Sequence, residues 1–384
     1  MKICGITTKA ITIKAFMLSS LEYMVNNGHE AFCISQYDDS LSDLAQSGGV
    51  KYIPVNIHWG NVTPLQLIKN IIELYKIFKK EKFDIIQYAT SNAGLCACIA
   101  GWLSRVPVRI YCQWGISYTD YSGITMRFYK FLEMLTCRCS TCIQPDSFAN
   151  LKFAIEENLY HKNKGEVIGH GSACGVDLKK YDITQRGSLG TKTRNEWNIS
   201  QETKVFGFVG RVVPEKGINE ILEAFMTLSG IDNILLMVVG PLDDVDRLDS
   251  ELFLKSKQAK NIIYVGAVHN AAKYFAAFDY LLLPSYREGF GMTVLEAAAM
   301  GVPSIISNIK GPTDFVVHNY NGLICDVKSA NSLREAILKA CSLSNDEYIK
   351  LSIAAHKVVK ENFDSNIFKA LFLENREKHY LKSK

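Results

Sequence analysis

Apolar residues along this chain fall into two successive series, each alternating short continuous runs with helically spaced segments. The first series opens on Lys2-Ile3-Cys4-Gly5-Ile6, a run that reads as a buried strand. Thr63-Pro64 then supplies a capping residue and a proline at the first helical position. Leu65, Ile68, Ile71, Ile72, Tyr75 and Phe78 follow at helical spacing, which predicts one apolar face. Ile85-Ile86-Gln87-Tyr88 is the next strand, followed by a small-residue loop over 91–94, an apolar helix to about Ser104, and the strand Arg109-Ile110-Tyr111. Strand, helix, strand in this order implies parallel pairing, with helices covering both faces of a sheet.

Around residues 170–190 the periodicity lapses into Gly, Ser, Asp and Lys, which predicts a linker. The second series places strands at 205–209, 234–239, 262–265, 280–283 and 304–306, with helices over 218–228, 271–278 and 292–300. Residues 366–381 read as a final amphipathic helix. The expectation is an α/β chain of two Rossmann-like domains, 1–170 and 171–360, facing each other across a ligand cleft at the carboxyl ends of their strands. Residues 361–384 are expected to cross back to the first domain. A length of 384 residues agrees, since single hydrophobic cores stop growing below this size.

Composition narrows the class. An apolar fraction of 48% and a charged fraction of 21% exclude a disordered or collagen-like chain. A net charge of +4 gives no reason to expect nucleic acid as a partner. The excess is uneven: residues 1–192 hold 21 Lys+Arg against 16 Asp+Glu, and the remainder 22 against 23. Part of it lies in the cluster Lys76, Lys79, Lys80 and Lys82, which is either a solvated helix face or a surface for anionic lipid headgroups. The longest apolar run, 93–103, is shorter than the ~18–20 residues that span a bilayer. The chain opens directly on strand-like sequence, so no signal peptide is expected. On that basis the eleven cysteines read as reduced thiols in a cytosolic protein, and Cys137, Cys139 and Cys142 match no zinc spacing.

Two segments of the second half carry candidate chemistry. In Glu288-Gly289-Phe290-Gly291-Met292-Thr293-Val294-Leu295-Glu296 a strand ends, glycines follow, and a helix begins. Glycines let backbone N–H groups approach an anion, and the helix N-terminus adds partial positive charge, so the segment reads as a phosphate seat. Glu288 precedes the glycines and is placed to enter a cleft. Glu296 sits among Val294, Leu295, Ala297 and Ala298, where a carboxylate needs a hydrogen-bonding partner such as paired ribose hydroxyls. The second segment, Gly207-Phe208-Val209-Gly210-Arg211-Val212-Val213-Pro214-Glu215-Lys216-Gly217, delivers Arg211 at a strand end and Lys216 at the mouth of a helix. Two fixed cations there suit a diphosphate that gains charge as its bond to a sugar breaks. Taken alone, such an Arg and Lys are more often solvated surface charges; the glutamates in the same half of the chain favour the functional reading.

Gly210-Arg211-Val212-Val213-Pro214-Glu215-Lys216-Gly217 and the pair Glu288…Glu296, seven residues between, resemble the hallmarks of retaining glycosyltransferase family 4, of the GT-B architecture. Ser285-Tyr286-Arg287-Glu288-Gly289-Phe290 and Asn321-Gly322-Leu323 fit the same family. The stretch His170-Gly171-Ser172-Ala173-Cys174-Gly175-Val176-Asp177 is similar to one in members that build bacterial capsule and O-antigen repeat units. The resemblance implies a donor/acceptor cleft in which Arg211 and Lys216 hold the donor diphosphate and Glu288 the donor sugar's hydroxyls. The backbone of Gly289, Phe290, Gly291, Met292 and Thr293 would hold phosphates, and Glu296 the ribose. It also implies retention of anomeric configuration, a nucleotide-sugar donor (a UDP-sugar foremost), and a lipid-linked saccharide acceptor met at the inner membrane face by a peripheral enzyme. No metal and no cofactor are expected.

The chain departs from the family in two places. Thr7-Thr8-Lys9-Ala10 stands where a double glycine is common, and Gln113-Trp114-Gly115 has Trp114 where many members have His. Asp244 and Asp246, in the run Asp243-Asp244-Val245-Asp246, have the Asp-x-Asp spacing that binds a divalent ion in the other major glycosyltransferase architecture, but the run follows a Gly-Pro turn typical of an exposed loop. Two other readings share the architecture: a nucleotide-sugar epimerase, which should show an acid/base cluster near Glu288, and a non-catalytic nucleotide-sugar-binding subunit.

Overall fold

The computed structural model describes residues 1–58, 60, 63–242 and 244–384. It divides into two compact units: Met1–Gly175 with Asn366–Lys384, and Val176–Ser365. The chain thus passes between them at 175/176 and 365/366, rather than at the expected 170/171 and 360/361.

The first unit holds the parallel strands β1 (Lys2–Ile6), β2 (Glu30–Ser35), β3 (Lys51–Pro54), β4 (Ile85–Tyr88), β5 (Val108–Gln113) and β6 (Cys142–Pro145), in the order β3-β2-β1-β4-β5-β6. The second holds β7 (Lys204–Val209), β8 (Ile234–Val239), β9 (Ile262–Gly266), β10 (Tyr280–Leu283), β11 (Ser304–Ser307) and β12 (Gly322–Cys325), ordered β12-β11-β10-β7-β8-β9. Each is the doubly wound arrangement, with its switch point between the first and fourth strands. The strands are short and apolar because both faces are covered. In β10, Leu281 and Leu283 enter one core while Tyr280 and Leu282 enter the core on the other face.

Local sequence explains most of the helices. Pro64–Glu81 starts on a capping box between Thr63 and Gln66. Its apolar arc, however, is not one buried face. Phe78 is buried together with Leu74 and Asn70, whereas Leu65, Ile68 and Ile72 are exposed. The arc spans more of the helix than the neighbouring elements cover.

The expected linker is also shorter than its composition suggests, because Arg186–Glu196 is a helix. It lies so close to the helix Ala272–Ala277 that a Cβ on Gly190 would stand 2.4 Å from the Ala276 carbonyl oxygen. Glycine there serves close packing, which a composition rule reads as a loop.

The last helix, Ser365–Ser383, docks within the first unit by burying Phe368, Phe372 and Arg376. Arg376 donates to Gln87 Oε1 through Nε (3.0 Å) and Nη2 (2.8 Å). Beside it Glu166 accepts from Asn375 at 2.7 Å and pairs with Lys378 and His379. These bonds hold the Glu166 carboxyl well below the usual carboxylate range against the upward pull of burial. All eleven cysteines are free thiols among the described residues.

Candidate functional site

The strand order of the second sheet determines what its loops can do together. Strands β7 and β10 are 70 or more residues apart in sequence yet pair directly, Tyr280 with Phe206 and Leu281 with Gly207. Their carboxyl ends flank the switch point, so the loop carrying Arg211 and Lys216 adjoins the loop carrying Glu288.

The two loops are bonded to each other. The Tyr286 N–H donates to the Glu215 carbonyl at 2.9 Å, and the Tyr286 hydroxyl donates to Glu220 at 2.7 Å. Lys216 ends a single 3-10 turn, Pro214–Lys216, and is followed by Gly217 at φ +74°. A Cβ on Gly217 would lie 2.2 Å from the Pro284 carbonyl oxygen, at the end of β10. Only glycine lets the two loops approach this closely.

Glu288 and Lys216 meet directly. Lys216 Nζ donates to Glu288 Oε1 at 2.5 Å, and Ser285 Oγ donates to the same oxygen at 2.8 Å. Both partners of the ion pair are largely buried. Ser285, itself buried, accepts at its carbonyl from the Ser307 hydroxyl, so the carboxylate rests on the ends of β10 and β11. Arg211 is different: its side chain is 62% exposed, with Asp244 Oδ2 3.9 Å away. It is an exposed cation at the strand end, open to an anionic ligand.

Gly289, Phe290, Gly291, Met292 and Thr293 lead from this carboxylate into the helix Met292–Ala299, with Gly291 as N-cap. Phe290 is buried in the core against Phe363, which fixes the turn from the inside. Glu296 lies on the second turn of that helix. Burial pushes its carboxyl up, while a hydrogen bond from Tyr181 and the charge of Lys180 pull it down. The partner expected for this glutamate is therefore supplied in part by Tyr181. Nothing in the local sequence signals that tyrosine, because it comes from the segment before the helix Arg186–Glu196.

Sequence reasoning also missed the roles of Ser285 and Tyr286, although both stand inside the motif. Asn321 is structural: its Oδ1 accepts from the Val317 N–H and its Nδ2 donates to the Phe315 carbonyl, closing a turn. Of the acidic run, Asp243 lies outside the described residues, and Asp244 faces Arg211.

In the first unit, the carboxyl end of β1 is held by threonines in place of glycines. Thr8 Oγ1 and Thr90 Oγ1 are 2.8 Å apart, and the Thr8 N–H donates to Thr90 Oγ1 at 3.2 Å, which bridges the β1/β4 switch point. Trp114 packs edge-on against Phe16 with ring centroids 5.3 Å apart. Tyr118 is buried, its hydroxyl donating to Glu157 at 3.2 Å.

Two doubly wound units, with an exposed arginine and a part-buried Lys–Glu pair at the switch point of the second, are the arrangement of a GT-B glycosyltransferase. Comparisons with known proteins agree. Residues 191–358 match the model "Glycosyl transferases group 1", and residues 2–147 match "Glycosyl transferase 4-like". The chain is 30% identical over 304 residues to the capsular polysaccharide biosynthesis glycosyltransferase CapM of Staphylococcus aureus, covering 78% of each chain. It is 26% identical over 335 residues to the UDP-Gal:alpha-D-GlcNAc-diphosphoundecaprenol alpha-1,3-galactosyltransferase of Escherichia coli, covering 85% of this chain and 84% of that one. The structure of Anabaena Alr3699/HepE in complex with UDP superposes with a TM-score of 0.79 at 16% identity, over 98% of this chain and 100% of that chain. The chain belongs to the group 1, 4-like glycosyltransferases, and it is a glycosyltransferase of GT-B fold.

Proposed function

We propose that this enzyme transfers a sugar from a UDP-sugar to a lipid-linked saccharide acceptor, with retention and without a metal ion, in assembly of a bacterial surface polysaccharide of the capsule or O-antigen type. The observation that carries the donor half is the Lys216–Glu288 ion pair at the β7/β10 switch point, with Arg211 on the same loop as Lys216. Lys216 donates to the Glu288 carboxylate and is itself part-exposed, so a diphosphate would share its ammonium. Arg211 would swing from Asp244 onto the same diphosphate.

As the bond between the anomeric carbon and the phosphate oxygen breaks, negative charge grows on that oxygen, and the two cations stabilise it. The acceptor hydroxyl attacks from the same face. Its oxygen forms the new bond, and its proton passes to the departing phosphate oxygen. Glu288 then orients the sugar through its hydroxyls, and Glu296 binds the ribose. Support for UDP and for a lipid-linked acceptor comes from the names of relatives: the Escherichia coli enzyme is named for UDP-Gal and for a diphosphoundecaprenol acceptor. A lipid-linked acceptor would place the enzyme at the cytoplasmic membrane face; no helix among the described residues is long and apolar enough to cross a membrane.

A thermal-shift panel with UDP, GDP, ADP and their sugars tests this. A nucleotide at a hundred times its dissociation constant stabilises the protein by ~2.7 kcal/mol. UDP or a UDP-sugar is expected to raise the melting temperature equally with and without EDTA. A shift that EDTA abolishes would overturn the metal-free site, and a shift with GDP alone would reassign the donor.

A further inference from the structure

The first unit carries a helix, Gly123–Cys139, whose exposed face is apolar. Only Thr136 and Cys137 of this helix are fully buried, and Met126 and Tyr129 pack partly against the core. Ile124, Phe128 and Phe131, at i, i+4 and i+7, point the other way and are 85%, 56% and 60% exposed. Such a stripe normally marks the face a helix turns inward. Here the helix has an inward face as well, so the stripe is surplus to folding.

The neighbouring helix Ser91–Ser104 extends the surface with Trp102, 58% exposed. Between the two helices Trp102, Phe131, Met134 and Leu135 line an open, largely apolar groove of about 860 Å³, with Arg138 and Lys164 among its walls.

The charges around this surface have one sign. Arg127 and Arg138 are exposed on the helix itself. Its sole carboxylate, Glu133, turns inward and accepts from Gln113 Nε2 at 2.5 Å and from Tyr111 Oη at 3.1 Å. Glu157 close by is engaged by Lys130 at 2.6 Å and by Tyr118. The outer face of the helix therefore presents large apolar side chains and guanidinium groups with no acidic residue among them. An acidic protein partner would need no such aromatic depth, and a second copy of this chain would bring the same cations against themselves. An anionic bilayer satisfies both features, taking the rings below its headgroups and the arginines among its phosphates.

We propose that the face formed by Ile124, Phe128 and Phe131, with Trp102 and the Arg127/Arg138 pair, is the surface by which this enzyme docks on an anionic membrane. The inference deepens the reading of a lipid-linked acceptor, since docking there would hold the first unit at the depth where such an acceptor is anchored. Docking itself requires neither donor nor acceptor.

The test is co-sedimentation of the full chain with phosphatidylcholine vesicles, with and without phosphatidylglycerol, in the absence of nucleotide sugar and acceptor. Binding is expected to be at least about tenfold stronger with phosphatidylglycerol, and to weaken as salt rises. Phe128→Ser with Phe131→Ser should lower it about tenfold or more, and Arg127→Ala or Arg138→Ala about fivefold each. These residues are exposed, so the variants should keep their melting temperature and their nucleotide-induced shift. Equal sedimentation of wild type and the double serine variant would overturn the proposal. So would a concentration-dependent dimer that the same substitutions abolish in a protein that ignores vesicles. Vesicle binding without any nucleotide shift would uphold the surface and sink the donor-site reading instead, so the two failures are distinct.

Discussion

Replacing Arg211 by alanine is expected to lower turnover about 10²–10³-fold, which corresponds to ~2.7–4 kcal/mol of lost transition-state stabilisation. Its guanidinium is 62% exposed and the Asp244 carboxylate stands 3.9 Å away, so folding gains little from it. The melting temperature should therefore hardly move, since exposed substitutions stay within about 0.5 kcal/mol. Lys216→Ala should cost as much turnover by a different route. It removes a cation and also leaves the largely buried Glu288 with Ser285 as its remaining side-chain partner among the described residues. A KM-against-kcat split separates the two variants. Loss at Arg211 should fall on kcat, because the charge it meets grows in the transition state. Loss at Lys216 should reach KM as well, through a carboxylate that no longer has a fixed orientation toward the sugar. Normal turnover in Arg211→Ala would remove the diphosphate assignment.

The largest expected effect on stability lies at the opposite end of the same two strands. Arg194, on the helix Arg186–Glu196, is nearly buried and its Nη2 donates to Asp279 Oδ2 at 2.8 Å. The rest of the guanidinium is consumed by the carbonyls of Ala277 (3.0 Å), Gln201 (3.2 Å) and Thr203 (3.0 Å). Asp279 Oδ2 also accepts from the Val205 N–H at 2.7 Å, which ties the residue before β10 to the start of β7. Asp279→Ala would leave a buried, uncompensated guanidinium and an unpaired N–H, a loss of about 3–5 kcal/mol. For a unit of this size that is a fall in melting temperature of roughly 6–20 °C. Thermal unfolding followed by circular dichroism measures it, and a fall under about 2 °C would show that the joint is not what keeps β7 beside β10. The same variant tests the coupling of fold to site. Lys216 and Glu288 meet only because β7 and β10 pair, so nucleotide affinity should fall with stability as temperature rises.

What the chain reveals before it folds follows the range of the interactions involved. Strands 234–239 and 280–283 and the helix beginning at Met292 are legible because a buried strand is a continuous apolar run and a helix opens at a glycine turn, both local signals. The candidate residues are legible for the same reason: Arg211, Lys216, Glu288 and Glu296 each sit at a strand end or a helix start that neighbouring residues define. The local signal fails where packing decides. Arg186–Gly190 has loop composition, yet forms a helix because Gly190 admits the Ala276 backbone. Leu65, Ile68 and Ile72 have core character, yet face outward because the layer around Pro64–Glu81 covers only part of its apolar arc. Tyr181 reaches Glu296 from more than a hundred residues away, and no periodicity records that.

The sequence by itself therefore determined the alternation of strand and helix, the existence of two doubly wound halves, and the chemical identity of the groups at each turn. Which turns meet was decided by tertiary structure alone. Parallel strands pair through backbone hydrogen bonds that any residue can make, so their order is set by how helices pack across the sheet and not by the strands' own side chains. That order places the Lys216 ammonium on the Glu288 carboxylate, 72 positions away in sequence, and with it the two halves of the proposed donor site.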